Sequence, residues 1–401
     1  MNNAHEAYDL AQMQSLPLEA KIRMTKLRIK AWYESWTKFE IIDEVTGKTR
    51  FVTIDTRDYS AEPPIKETEY IVSALPGQVY VSFSGGKDST VLKHIVDSMY
   101  DDVPSLFVNT GLEYPEIQKF VKDIKSGKFD CFNSNIEIIR PEMRFDEVLK
   151  NYGYPVFSKE TALNIEYGRK AAAKGDIQKV DMYFYGKRKN KKTGEVYEHM
   201  KLSKSALDFA LNSGIPASNK CCSIMKKKPA DKYATETGRK SIQGTLADES
   251  KLRELAWIKN GCNAFESKNP VSRPLSFWTE QDILHYIKKY DVPYCSVYGD
   301  IVFDSNDGTP DEQINIIDYL GEYEPEDRLK TTGCDRTGCI FCMFGCHLEK
   351  EPNRFQRLKE THPRQYEYCI GGGEMVDGKW QPSKQGLGLG KVLDYIGVKY
   401  D

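Results

Sequence analysis

No apolar run in this 401-residue chain approaches the 18 or more residues that cross a membrane, and the N-terminal MNNAHEAYDL lacks the basic and apolar regions of a signal peptide. A soluble, cytoplasmic protein with no membrane partner is expected. Neither sign of charge is in excess: 57 Lys and Arg stand against 59 Asp and Glu, so net charge selects no class of partner. With 40% hydrophobic and 29% charged residues the composition fits neither disorder nor a coiled coil, and no internal repeat is visible. The length leaves room for two or three domains. What is present in quantity is cysteine, ten in all. In a large protein of a reducing compartment, clustered cysteines are metal or redox ligands rather than a disulfide framework.

Residues 17–36 set Ile22, Leu27, Ile29 and Trp32 among charges at helical spacing, which predicts an amphipathic packing helix. FEIIDEVTGKTRFVTI then alternates around Thr46-Gly47 as a β-hairpin does, suggesting an appended element at 1–74 that could also serve for docking. From Gly77 short apolar runs alternate with helical stretches: VYVSF, STVLKHIVDSMY, SLFVNT, PEIQKFVKDIK, IEIIRP. This βαβαβ order predicts an α/β fold with a doubly wound, mainly parallel sheet, placed at 75–300. A lysine-rich insertion at about 165–206, with a hairpin tip at Thr193-Gly194, interrupts it before SIQGT and TEQDILHYIKKY resume the pattern. A Cys/Gly-rich region follows at 301–401, its Cys/Gly-rich character setting in near residue 321.

Ser84-Gly85-Gly86-Lys87-Asp88-Ser89 directly follows the strand VYVSF and opens a helix whose Val91, Leu92, Ile95 and Met99 share a face. Two glycines let the backbone turn and approach a ligand, and the first N–H groups of the helix lie unsatisfied at its positive end. An anion belongs there. Lys87, expected to be an exposed loop cation, adds positive charge, and Ser84, Ser89 and Thr90 add hydroxyls. The spacing is not that of a Walker A loop, because Asp follows the Lys and the glycine pair immediately precedes it.

These residues resemble the PP-loop ATP pyrophosphatase superfamily, and three further motifs resemble its phosphoadenosine phosphosulfate (PAPS) reductase-like branch over residues 75–345. Asn109-Thr110-Gly111 with Tyr114-Pro115-Glu116 is similar to the family's D-T-G-x-x-F-P-E, with Asn for Asp. Gly244-Thr245-Leu246-Ala247-Asp248-Glu249-Ser250 with Arg253 is similar to G-x-R-x-x-E-S-x-x-R, with Leu246 in place of the first Arg. Arg273-Pro274-Leu275 and Trp278-Thr279, with Tyr298 further on, are similar to the family's P-L-x-x-W-T helix that closes the domain. The resemblance implies an adenine nucleotide, ATP, held with Mg²⁺ at the carboxyl ends of the strands. It implies that Lys87 and Asp88 are catalytic and that Ser84, Gly85, Gly86, Ser89, Asn109, Thr110, Gly111 and Gly244 line the nucleotide pocket. Asp88 would engage the metal or cap the helix. Glu249 and Arg253 would contact substrate or pair with each other.

Cys221-Cys222-Ser223-Ile224-Met225-Lys226-Lys227 resembles the C-C-x-x-R-K motif of cluster-bearing adenylyl-sulfate reductases, and Cys339-Ile340-Phe341-Cys342 occupies the place of their second C-x-x-C. That resemblance implies a [4Fe–4S] cluster on Cys221, Cys222, Cys339 and Cys342. A rival set, Cys334, Cys339, Cys342 and Cys346, is local in sequence and could hold a cluster or Zn²⁺, as in DNA phosphorothioation ATP pyrophosphatases. Cys131, Cys262 and Cys295 read as buried free thiols. Sulfonucleotide reductases finish with E-C-G-[IL]-H, whereas this chain ends LGLGKVLDYIGVKYD and offers only Cys369, in EYCIGGGE. The reading that follows is an ATP pyrophosphatase that adenylates an acceptor for sulfur transfer, with a sulfur donor protein as partner. The alternatives are a PAPS or adenylyl-sulfate reductase and a nucleotide-sensing subunit. The acceptor class is nucleic acid, DNA or tRNA, because Lys187-Arg188-Lys189-Asn190-Lys191-Lys192 beside Tyr183, Phe184 and Tyr185 offers phosphate contacts and stacking.

Overall fold

The runs VYVS, SLFV, IEII and KSIQ are too short for helices and rich in β-branched residues, and they form four neighbouring strands of a six-stranded sheet. The structure, a computed structural model, describes residues 5–55, 63, 65–190, 192–304 and 328–401. Lys191 of the basic hairpin and residues 305–327 of the Cys/Gly-rich region lie outside the described residues. Two compact units are formed, one from 1–108, 114–139 and 230–337, the other from 109–113, 140–229 and 338–401.

In the first unit the sheet order is Asn263–Ala264, Val271–Ser272, Lys240–Gln243, Val79–Ser82, Ser105–Val108, Ile136–Ile139. Every pairing is parallel except that of the edge strand Asn263–Ala264 with Val271–Ser272. The register sets Tyr80 against Ser241, Val81 against Ser105 and Phe107 against Ile138. The chain leaves the central strand Val79–Ser82 toward one edge and later returns on its other side, so the expected doubly wound α/β sheet is present with its switch point at that strand's carboxyl end. Val91, Leu92, Ile95 and Val96 of the helix Lys87–Asp97 and Phe277, Trp278 and Ile283 join the strands in one core.

The helix Leu18–Ser35 contributes Ile22, Ile29 and Trp32 to that core, while Leu27 is 65% exposed and lies on the outer face, contrary to its expected place in the stripe. Lys21 reaches both carboxylate oxygens of Asp282 at 2.8 and 2.7 Å, and Trp278 Nε1 donates to Thr25 Oγ1 at 2.9 Å. This helix is therefore integral to the core, and its apolar face is not a free docking surface. The hairpin forms as expected from Trp36–Asp43 and Thr49–Asp55, and a third strand, Glu69–Pro76, pairs antiparallel with the first.

The second unit is mainly helical. Arg169, on the helix Lys159–Ala172, donates to the carbonyls of Phe209, Ala210 and Ile215 and to Ser213 Oγ, satisfying the carboxyl end of the helix Lys204–Asn212. The basic stretch does make a hairpin, Lys187–Lys189 with Val196–Glu198. Phe184, expected to offer stacking, is instead buried, and a Cβ at Gly168 would stand 2.1 Å from its ring. Near the chain end, the helices Arg354–Thr361, Pro363–Ile370 and Leu389–Ile396 accompany a hairpin of Glu374–Val376 and Lys379–Gln381. No helix among the described residues is long and apolar enough to cross a membrane.

Candidate functional site

The loop Ser84–Ser89 lies at the carboxyl end of the central strand, where its neighbours can also reach. Gly85 has φ +72°, in the left-handed region that glycine favours, and a Cβ there would stand 2.9 Å from Ile117 Cγ2. Gly86 caps the helix with extended backbone, and the amide of Thr90 donates to its carbonyl at 2.9 Å. The serines knit the turn: Ser84 N–H donates to Ser89 Oγ at 3.2 Å, the two hydroxyls stand 3.0 Å apart, and Ser89 Oγ donates to Gly86 O at 2.9 Å. Gly244 ends the adjacent strand Lys240–Gln243, and a Cβ on it would lie 2.9 Å from the carbonyl oxygen of Asp88. Its role is close packing of strand against loop.

Lys87 is not the exposed cation expected from the sequence; it is 5% exposed. Its ammonium donates to Asp335 O at 2.6 Å, pairs with Glu280 Oε1 at 2.8 Å, and lies 5.4 Å from the ring centroid of Tyr298. Its backbone N–H donates to Tyr298 Oη at 3.1 Å, and that hydroxyl is bonded to Thr337 Oγ1 at 2.6 Å. The burial arises because the segment Asp335–Thr337, distant in sequence, supplies partners to the loop. Asp88 has its Oδ1 buried without a hydrogen bond, and burial raises its pKa while Lys87 works in the opposite direction. Glu249 pairs with both Arg253 and Arg336. Lys87, Asp88, Leu246, Asp248, Glu249, Glu280 and Arg336 line a cavity of about 150 Å³. That is room for a phosphate-sized part of a ligand, below the roughly 300–1,000 Å³ of whole small-molecule sites. Glu280, Asp335, Arg336 and Thr337 escaped the sequence reading. Only the position of Glu280, directly after Trp278-Thr279, could have drawn attention to it.

In the second unit Asn109 Oδ1 accepts from the amide of Gly111 at 3.1 Å. Thr110 donates to Glu113 through both its amide, 3.1 Å, and its hydroxyl, 2.6 Å. These residues hold their own turn. Cys221 and Cys222 open a helix that continues through a π-turn, Ser223–Lys227, and their sulfurs are 4.0 Å apart. They line one cavity with Cys339 and Cys342, together with Leu112, Phe145, Pro155, Met225, Lys226 and Phe341.

The thiols are strongly differentiated. Cys221 donates its hydrogen bond to Cys222, so the Cys222 pKa falls, helped by Lys159, Lys226 and Lys227, while the Cys221 pKa rises. Burial raises Cys342 and takes Cys339 to about 11, in the latter case against the pull of Lys226. Burial would lower Lys226, but Cys339 and Glu113 together outweigh it and raise the pKa. Of the rival pair, Cys346 is buried with its thiol on Met343 O at 3.0 Å and is not among these lining residues, and Cys334 belongs to the first unit. Cys262 and Cys295 are buried free thiols as expected, whereas Cys131 is exposed, a correction to its expected burial. Among the described residues no three His, Cys, Asp or Glu side chains close on a single metal-sized point.

A sequence profile described as the phosphoadenosine phosphosulfate reductase domain matches residues 78–206 and 193–343, more than half of the chain. Curated relatives include the phosphoadenosine 5′-phosphosulfate reductase of Buchnera aphidicola, 33% identical over 95 residues, covering 23% of this chain and 37% of that protein. The adenosine 5′-phosphosulfate reductase of Staphylococcus haemolyticus is 32% identical over 80 residues, 20% of this chain and 32% of the other. An uncharacterized protein of Methanocaldococcus jannaschii is 35% identical over 77 residues, 19% of this chain and 18% of its own length. The chain thus spans little more than a third, at most, of these relatives. A solved PAPS reductase from Candida auris, in a phosphate complex, aligns with 54% of this chain and 75% of its own at 15% identity and a TM-score of 0.28, too low to bear on the geometry above.

Proposed function

Since the chain belongs to the phosphoadenosine phosphosulfate reductase domain family, we propose that it is an ATP pyrophosphatase that adenylates an acceptor for sulfur transfer. The observation that carries this reading is the contrast between the intact loop Ser84–Ser89 and the complete burial of Cys369. Cys369, within the helix Pro363–Ile370, is 0% exposed, and burial raises its pKa well above that of a free thiol. It is poorly suited to attack a bound sulfonucleotide.

In the proposed reaction an acceptor oxygen attacks the α-phosphorus, the bond from that phosphorus to the bridging oxygen breaks, and pyrophosphate leaves with the electron pair. Sulfur at the sulfide level, delivered by a donor protein, then attacks the activated acceptor atom, and the bond to the adenylated oxygen breaks so that AMP leaves with that oxygen and the electron pair. Lys87 and the loop amides would bind the leaving group, and the hydroxyls of Ser84 and Ser89 would fix the turn that presents those amides. The unpartnered buried Oδ1 of Asp88 fits a Mg²⁺ ion, which is commonly held by one or two carboxylates plus phosphates and waters. That ion would neutralise phosphate charge.

Four thiols around one apolar cavity, with the Lys226 ammonium close by, fit a four-thiolate iron–sulfur cluster on Cys221, Cys222, Cys339 and Cys342. Such a cluster, being several ångström across, does not need ligands that meet at one point, whereas tetrahedral Zn²⁺ does. When bound it would supply structural cross-linking or electron storage. Exposed Lys187 and Lys189, with the partly exposed Tyr185, favour a nucleic-acid acceptor.

The second reading, a sulfonucleotide reductase, is favoured by the names of the Buchnera and Staphylococcus relatives. Pyrophosphate exchange into ATP, measured across DNA and tRNA acceptors, tests the proposal. Sulfite released from PAPS or adenylyl sulfate, and lost in Cys369→Ser, would overturn it.

A further inference from the structure

In this structure the cation of the phosphate loop is already matched by a carboxylate. Glu280 Oε1 stands 2.8 Å from Lys87 Nζ, while the carbonyl of Asp335 accepts from the same ammonium at 2.6 Å. The two partners differ in freedom. Asp335 O is a backbone group beside the buried Lys87, but Glu280 begins the helix Glu280–Lys289 and its side chain is 54% exposed, so it can rotate into water. An incoming phosphate oxygen seeking Lys87 meets Glu280 at the same nitrogen.

The rest of the cavity gives little compensating charge. Arg336 and Arg253 both pair with Glu249, and Asp248 adds a further carboxylate to the lining. Counting the lining cations Lys87 and Arg336, with Arg253 beside Glu249, against Asp248, Glu249 and Glu280 leaves no net positive charge, before Asp88 is included. A bare polyphosphate would enter a cavity that does not attract it. A polyphosphate carrying a divalent cation would present fewer negative charges and a partner for the displaced Glu280 carboxylate.

We propose that Glu280 is a specificity-determining residue that makes the loop accept its nucleotide as the divalent-metal complex and discriminate against the metal-free anion. This rests on the nucleotide reading above. The test is equilibrium binding of ATP to the full chain by titration calorimetry, with Mg²⁺ and with a chelator, in wild type, Glu280→Gln and Glu280→Ala. The wild type should bind the Mg²⁺ complex more tightly than metal-free ATP. Either substitution should tighten metal-free ATP by about tenfold, the scale of removing one partly screened like charge a few ångström from the ligand. The Mg²⁺ dependence should shrink accordingly.

Unchanged or weaker metal-free binding in both variants would overturn the proposal. So would a wild type that binds both forms equally, a result that does not depend on the variants folding. If the wild type binds ATP in neither form, the nucleotide reading falls and this inference with it; if ATP binds and only the variant effect is missing, Glu280 alone is acquitted.

Discussion

Substituting Gly244 with alanine adds one methyl group at the tightest backbone approach in the loop. The new Cβ would stand 2.9 Å from Asp88 O and 3.1 Å from both Asp88 C and Ser89 Cα. Ordinary contact at these atoms needs about 0.5 Å more, and every atom to be moved is backbone, so no side-chain rotation relieves the clash. Overpacking of this kind costs typically about 1–3 kcal/mol. The strain falls on the first turn of the helix Lys87–Asp97, whose amides are the proposed anion cradle, so under the proposed function ATP binding should weaken along with stability. Chemical denaturation followed by tryptophan fluorescence is a suitable assay, because Trp32, Trp36, Trp257 and Trp278 all lie in the unit that holds the loop. A Gly244→Ala protein with unchanged midpoint and unchanged ATP affinity would refute the close-packing argument. Loss of binding with full stability would instead mean that Gly244 faces the ligand.

Lys21→Met removes one half of a buried ion pair and leaves Asp282 uncompensated beside the capped start of the helix Glu280–Lys289, so unfolding monitored by the same fluorescence should show a loss of about 3–5 kcal/mol. Tyr298→Phe leaves the Lys87 amide without its acceptor, at a cost of about 1–3 kcal/mol in the same measurement, while far-ultraviolet circular dichroism should remain that of a folded chain. In anaerobically purified protein, Cys339→Ser and the double change Cys221→Ser with Cys222→Ser should each remove iron and the broad absorbance near about 400 nm, with Cys334→Ser and Cys346→Ser retaining both. The opposite pattern assigns the site to the local quartet, and stoichiometric zinc without iron replaces the cluster by a structural ion.

The parallel sheet and its loop were legible because strand, glycine turn and amphipathic helix follow one another within 20 residues, so local periodicity carries the whole signal. The strand Glu69–Pro76 was not: Tyr70, Ile71, Val72 and Leu75 are all exposed, and an edge strand open on both faces shows no alternation to read. Leu27 and Phe184 fail in opposite directions for one reason, that burial is decided by the surface presented from elsewhere, in the second case by the missing side chain of Gly168. The loop sequence announced an anion site but could not disclose that Lys87 would be covered, since Asp335 lies 248 residues away and Glu280 nearly 200. The cysteine pairs could be singled out as candidate ligands from their spacing and resemblance, yet which of them share a cavity depended on the fold of the second unit.

In the proposed reaction ATP is cleaved between its α and β phosphates, with Lys87 holding the pyrophosphate that leaves. Wild-type protein incubated with Mg²⁺, ATP, acceptor nucleic acid and sulfide as the sulfur source should release pyrophosphate and AMP, followed by ³¹P NMR, and Lys87→Ala should slow that release by at least about 100-fold, as expected when a charge-assisted contact to the leaving group is lost. The Lys87→Ala protein should still unfold cooperatively, its stability lowered only by the loss of the pairs with Glu280 and Asp335. Release of ADP and phosphate by the wild type, or AMP formation undiminished in a folded Lys87→Ala protein, would contradict the account.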